Sequence, residues 1–164
     1  MEHDVLAAPE DLVTLAARLG LAAPRQAASR AALRDAKMLR DALDAVLRDL
    51  LAGSTPRPAA RATVSAAARA AVAAASLGAE RGGALGWQWK RSDPHAPVHA
   101  IALAAVELLT NEDDLARLRS CEGCCWLFLD RSRGAGRRWC SMAYCGTDAK
   151  KRRYVQRRRE RRAR

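Results

Sequence analysis

The sequence predicts a mainly α protein: a helical N-terminal domain with a minor β-hairpin, followed by a small treble-clef-like, cysteine-rich finger and a basic C-terminal helix. Three observations lead there. First, 49% of the 164 residues are hydrophobic but only 4% are aromatic. The core must therefore be built from Leu, Val and Ala, which favour close-packed helices over sheets. Second, all five cysteines lie between Cys121 and Cys145. Third, the net charge of +11 is unevenly spread. Residues 1–119 hold 15 Lys and Arg against 14 Asp and Glu, and residues 120–164 hold 14 against 4. These shifts divide the chain into a domain over 1–119 and a module over 120–164.

The first helix opens at Ala8-Pro9-Glu10-Asp11, with Pro in the first turn and acids complementing the positive end of the helix dipole. Leu12, Leu15, Ala16 and Leu19 share one face, and Gly20 stops it. Pro24 begins the next segment. Ser29 caps a long helix to about Ala52, terminated by Gly53. Its apolar positions Leu33, Ala36, Leu39, Leu43, Val46, Leu47 and Leu50 recur at three and four, the spacing of one buried face. Ser54-Thr55-Pro56-Arg57-Pro58 is a turn, and the Ala-rich stretch 59–76 is again helical with a narrow apolar stripe.

Residues 76–80 and 84–89 flank Arg81-Gly82-Gly83 and predict a small β-hairpin. Trp87 and Trp89 share a strand face by period two and are expected to plug against the bundle. Asp93-Pro94-His95-Ala96-Pro97 is a loop. A helix follows from about Pro97 to Leu109 with Val98, Ile101, Ala102, Ala105, Leu108 and Leu109 inward. Asn111 caps a short helix over 112–119 that delivers the chain to Cys121. His95 and His99 are four apart, but Pro97 lies between them and no third ligand is near, so they predict no metal site.

In the module, Cys121 and Cys124 are separated by two residues, Cys140 and Cys145 by four, and fifteen residues lie between the pairs. Two such pairs can converge on one tetrahedral ion, the geometry of a structural zinc site with no open position. A dithiol switch at Cys121 and Cys124, or unligated core thiols, are the alternatives. Cys125 is expected to turn into the core. Residues 126–129 are strand-like, a polar Gly-rich connection follows, and a helix begins after Cys145-Gly146. Trp126, Phe128, Trp139 and Tyr144 are expected to form the small core. Because about 45 residues bury too little surface to fold alone, the metal is expected to supply much of the stability.

The terminal helix carries ten basic residues between Lys150 and Arg164, and its other residues form no apolar stripe. Such a helix repels itself and suits a partner's phosphates; without a hydrophobic face it does not suit a membrane surface. The candidate nucleic-acid contacts are Arg131, Arg133, Arg137 and Arg138 in the connection, with Lys150, Lys151, Arg152, Arg153, Arg157 and Arg158 on the helix.

Residues Trp126-Leu127-Phe128-Leu129-Asp130 and Arg138-Trp139-Cys140-Ser141-Met142-Ala143-Tyr144-Cys145-Gly146 resemble the CGNR-type zinc finger. Leu85-Gly86-Trp87-Gln88-Trp89 and Ala105-Val106-Glu107-Leu108-Leu109-Thr110 are similar to the ABATE domain that normally precedes that finger. The resemblance implies one structural Zn2+ held by Cys121, Cys124, Cys140 and Cys145, DNA binding by the finger, and a role among bacterial stress-responsive transcription regulators. Two departures stand out. The family's Cys-Gly-Asn-Arg is here Cys145-Gly146-Thr147-Asp148; both new residues suit a helix N-terminus, but an Arg is lost and an anion gained. The family's N-terminal domain also opens with an apolar strand-like segment, and this chain starts after it. Either the hairpin lacks a partner strand or the start lies upstream.

These readings predict a DNA-binding transcriptional regulator, with an RNA- or ribosome-associated zinc protein or a zinc-stabilised protein-interaction module as alternatives. The helical domain is the candidate for homodimerisation or for a small-molecule effector. The N-terminus is acidic and no apolar run reaches the ~20 residues of a membrane span. A cytoplasmic, nucleoid-associated protein is expected. No Ser-His-Asp pattern, phosphate-cradling Gly loop or open metal site is present, so no enzyme is expected.

Overall fold

The computed structural model describes residues 5–20, 29–79 and 82–162. They form two compact units, one ending at Thr110 and one beginning at Asn111. The second unit thus begins nine residues before the division expected from composition. The expectation for Pro24 falls outside the described residues.

The first unit is helical. α1 (Pro9–Arg18) starts with the Ala8 N–H donating to the Asp11 carboxylate at 2.8 Å and stops at Gly20, whose φ of 71° is the left-handed turn a glycine tolerates. α2 (Arg30–Leu51) is capped as expected: the Ser29 hydroxyl oxygen accepts the Ala32 N–H at 3.0 Å. At its other end Gly53 has φ 68°. α3 (Pro58–Ala74) buries only Val64 and Ala71, seven apart on one line of the helix. α4 (Ala96–Thr110) begins where the Asp93 carboxylate accepts the His95 N–H at 2.8 Å.

The core is built from Leu6, Leu12, Ala32, Ala36, Leu39, Val46, Val64, Ala71, Val98 and Ala102. Ala32, Ala71 and Ala102 are completely buried. Small side chains at these positions let the helix backbones approach closely, which is how an aromatic-poor sequence reaches native packing density.

Between α3 and α4 lies the expected hairpin, β1 (Ser76–Ala79) antiparallel to β2 (Leu85–Gln88). Its tryptophans part company. Trp89, one residue past the end of β2, packs against the core and donates its indole N–H to the Ala71 carbonyl at 2.9 Å, closing the end of α3. Trp87 stays in the strand and is 46% exposed, so only one of the pair is a plug. The register pairs Leu77 with Trp87 and Ala79 with Leu85, putting all four on a single exposed face. Among the described residues His95 and His99 join no metal-ligating cluster. His95 pairs with Asp35 at 3.0 Å and His99 with Asp93 at 3.5 Å.

The second unit opens with α5 (Glu112–Ala116), capped by Asn111. The helix ends at Ala116 rather than near Arg119, because Leu118–Ser120 becomes a strand, β3. It pairs antiparallel with β4 (Leu127–Leu129), Leu118 opposite Leu129 and Ser120 opposite Leu127. The backbone that would have prolonged the helix is needed to build the hairpin bearing the first cysteine pair. After an irregular connection comes one π-helical turn, Met142–Gly146, running directly into α6 (Thr147–Arg162). A hairpin with a cysteine turn at its tip, then a second pair at a helix N-terminus, is the expected treble-clef-like arrangement. No helix among the described residues is long and apolar enough to cross a membrane.

Candidate metal centre

The β3–β4 hairpin reverses over Cys121–Trp126, closed by the Cys121 N–H donating to the Trp126 carbonyl at 3.0 Å. This turn presents Cys121 and Cys124 to one point. The second pair comes from Cys140, before the π turn, and Cys145, inside it. A π turn opens the helix by one residue, which suits a pair separated by four rather than two. The Ser141 hydroxyl oxygen caps this turn by accepting the Tyr144 N–H at 3.4 Å.

The four sulfurs of Cys121, Cys124, Cys140 and Cys145 lie within 4.8 Å of one another. Cys124 and Cys140 sulfurs are 3.7 Å apart, and Cys140 and Cys145 sulfurs 3.8 Å. Zinc–thiolate bonds of ~2.3 Å place the corners of a tetrahedron about 3.8 Å apart. The donor set therefore fits one zinc ion by chemistry, number and spacing.

Two backbone N–H groups point at the buried Cys121 sulfur, from Gly123 at 3.4 Å and Cys140 at 3.3 Å. They tie the two pairs together and favour a thiolate. Burial raises the Cys121 thiol, but the bonds from Cys140, Gly123 and Cys124 outweigh it and bring it down to about 6. The neighbours move the other way. Hydrogen bonding to Cys124, with burial, pushes Cys145 up to about 12, and burial pushes Cys140 up. Four thiols this close cannot all ionise without a cation to offset their mutual repulsion. A dication displaces the protons that are bound.

Glycine is required at the knuckle: a Cβ on Gly123 would sit 2.9 Å from the Cys145 Cβ, whereas one on Gly146 would meet only the end of the flexible, exposed Met142 side chain at 2.9 Å. The knuckle and the π turn meet at a separation only a hydrogen allows.

Three residues that spacing alone did not single out hold the connection between the pairs. Asp130 is completely buried. Its carboxylate accepts the Ser132 hydroxyl at 2.6 Å, the Ser132 N–H at 3.0 Å and the Arg137 N–H at 2.8 Å. The Ser132 hydroxyl and then the Arg137 N–H hold this carboxyl at about 2. The Asp-x-Ser pattern is the available sequence signal, since such an acid commonly folds its own turn. Glu122, inside the first knuckle, grips Arg138 with both oxygens, one at 2.7 Å from Nε, while its N–H donates to the Arg138 carbonyl at 3.0 Å.

The candidate nucleic-acid contacts separate accordingly. Arg138 is held by Glu122 and lies over the Trp139 ring at 5.2 Å. Arg137 lies over Phe128 at 5.4 Å and donates to the Cys140 carbonyl at 2.8 Å. Arg131 pairs with Asp114 at 3.5 Å. Of the four loop arginines, only Arg133 makes no hydrogen bond or ion pair with a described residue. Lys150, Lys151, Arg152, Arg153, Arg157 and Arg158 are all exposed on α6, which buries nothing. The expected aromatic core is half realised. Phe128 and Trp139 are half-buried under guanidinium groups, whereas Trp126 and Tyr144 are 54% and 76% exposed. Cys125 is exposed rather than turned inward, because its neighbour Cys124 takes the position facing the other thiols.

No curated protein matches the chain. Residues 117–158 match the CGNR zinc finger, the segment that carries all four clustered cysteines. Residues 1–112 match the ABATE family, described as "Putative stress-induced transcription regulator". With two thirds of its length in that match and the finger behind it, the chain belongs to the ABATE family and ends in a CGNR zinc finger.

Proposed function

We propose that this chain is a cytoplasmic regulator that binds duplex DNA through its zinc-stabilised C-terminal unit and catalyses no reaction. In this reading Cys121, Cys124, Cys140 and Cys145 are the zinc ligands. The observation that carries it is α6: nine cations among the described residues, all exposed, none paired with a described acid. A helix of that composition is held against its own repulsion for no structural gain, and polyphosphate is the partner that offsets the repulsion. The family description supports a regulatory role for such binding. The helical unit is then where an effector or a second copy would act.

Titration of the zinc-loaded chain with duplex DNA across salt concentrations tests the proposal. Five phosphate contacts give a slope of log K against log salt of about −4.5. A slope near zero rejects it. Structured RNA competing better than duplex DNA at one salt concentration would move the function to RNA.

A further inference from the structure

We infer that α6 lies in the major groove of duplex DNA through the face centred on Tyr154, with Arg131, Arg137 and Arg138 of the loop serving the finger's own fold. The inference rests on the duplex-binding reading above and specifies how the contact is made.

The argument begins with angular positions. At 3.6 residues per turn each residue advances about 100°. Seven of the nine described α6 cations, all but Arg152 and Arg159, then fall within about 100° of Tyr154 on one side or the other. Lys150, Arg157, Arg158 and Arg161 are its immediate neighbours at three, four and seven residues. Tyr154 itself is 62% exposed. The remaining strip holds Asp148, Ala149, Arg152, Gln156, Arg159 and Glu160, two cations against two acids, with the Gln156 amide donating to the Glu160 carboxylate at 3.1 Å. The helix thus has a cationic face with an aromatic residue at its midline and a back whose charges balance.

A major-groove site asks for that division. The groove is about 12 Å wide and an α-helix is about 10–12 Å across, so both strands' phosphates flank a seated helix while its back faces solvent. Cations are needed on both flanks, and a side chain able to hydrogen-bond is needed at the floor, where Tyr154 stands. At about 6 Å the minor groove cannot admit the helix. The major groove of A-form RNA is too deep and narrow. Asp148, the anion gained at the family's Arg position, lies about 120° from Tyr154 and therefore outside the docking face. Its charge does not oppose the contact. The loop cannot substitute for α6, since three of its four arginines, Arg131, Arg137 and Arg138, are already engaged within the finger and only Arg133 is left over.

The test uses the full zinc-loaded chain, a mixed-sequence duplex and two substitutions of equal charge change. Both positions are exposed, so circular dichroism serves only to confirm that helix content is kept. Arg157→Gln, on the docking face, should lower the magnitude of the salt slope by about 0.9. Arg152→Gln, near the back, should leave it unchanged. Tyr154→Ala should weaken binding about fivefold or more with no change in slope. Methyl green, a major-groove ligand, should displace the protein, and netropsin, a minor-groove ligand, should not. If Arg152→Gln and Arg157→Gln weaken binding equally, or netropsin displaces while methyl green does not, duplex binding stands and this docking mode is overturned. If no duplex binds at low salt, the duplex-binding reading fails and the inference fails with it.

Discussion

Gly123→Ala places a single methyl group at the junction of the two cysteine pairs. The new Cβ would lie 2.9 Å from the Cys145 Cβ, 3.4 Å from its sulfur and 3.5 Å from its Cα. Gly123 does not occupy the left-handed region, so the penalty is steric alone. Neither partner can give way freely. The Gly123 N–H is directed at the Cys121 sulfur, and Cys145 is fixed within the π turn with its sulfur 3.8 Å from that of Cys140. Overpacking of this kind costs about 1–3 kcal/mol. If it falls on the metal-bound state, zinc affinity drops about 5- to 150-fold. Competition with a chromophoric chelator measures the change. Gly134→Ala is the control, since a Cβ there meets nothing within 4 Å. Affinity within twofold of the parent for Gly123→Ala would refute the claim that knuckle and π turn must meet at hydrogen-only separation.

Other outcomes follow from the same geometry. Arg138→Gln should leave the salt slope of duplex binding unchanged, because its guanidinium is engaged by Glu122 and Trp139. A fall of about 0.9 would show that it meets phosphate after all. Leu39, 2% exposed at the centre of the helical core, should cost about 2–5 kcal/mol when cut to Ala. Calorimetry should then show the helical unit melting roughly 10 °C lower or more. His99 is held below its ordinary value of 6.5, first by burial, with Asp93 opposing and His95 adding to the depression. The folded state therefore prefers the neutral ring. Its contribution is full above pH 6.5 and is lost as pH falls through the lowered value. Thermal midpoints measured downward from pH 7.5 should fall in that window, and His99→Gln should flatten the fall. An unchanged slope in the variant would remove His99 as its source.

The helices were legible because their causes are local. Ser29, Gly20, Gly53 and Asn111 act through their own backbone neighbours, and the three-and-four recurrence of α2 marks its buried face without reference to any other element. The cysteine spacing was legible for the same reason, since a two-residue gap folds its own turn. What the sequence hid are consequences of closure. Leu118 and Arg119 read as helix until β4 is there to pair with them. Trp87 and Trp89 share a period-two face only while both belong to a strand, and β2 ends between them. Arg137 and Arg138 look like Arg133 in sequence, yet each gains a ring to cover and an acceptor to hold once the two knuckles close. Trp126 and Tyr144 look like core residues in a module this small, but guanidinium planes over Phe128 and Trp139 take the place of aromatic packing.

The same closure sets the direction of α6. An ordinary surface helix is aimed by its apolar face, and α6 buries no residue. Its like-charged neighbours four apart, such as Arg153 with Arg157 and Arg157 with Arg161, each cost about 0.2–0.5 kcal/mol. What aims it is the turn before it. Gly146 is pressed against Met142 and Trp139, the Thr147 hydroxyl donates to the Met142 carbonyl at 3.1 Å, and Cys145 sits two residues from the helix start. The metal ligand thus does for α6 what a hydrophobic stripe does elsewhere. Chelation should accordingly weaken duplex binding at least about tenfold while removing no cation, because orienting the phosphate contacts requires more than charge. Equal affinity with and without zinc, measured by fluorescence anisotropy on one duplex, would mean that the basic segment binds as a solvated tail.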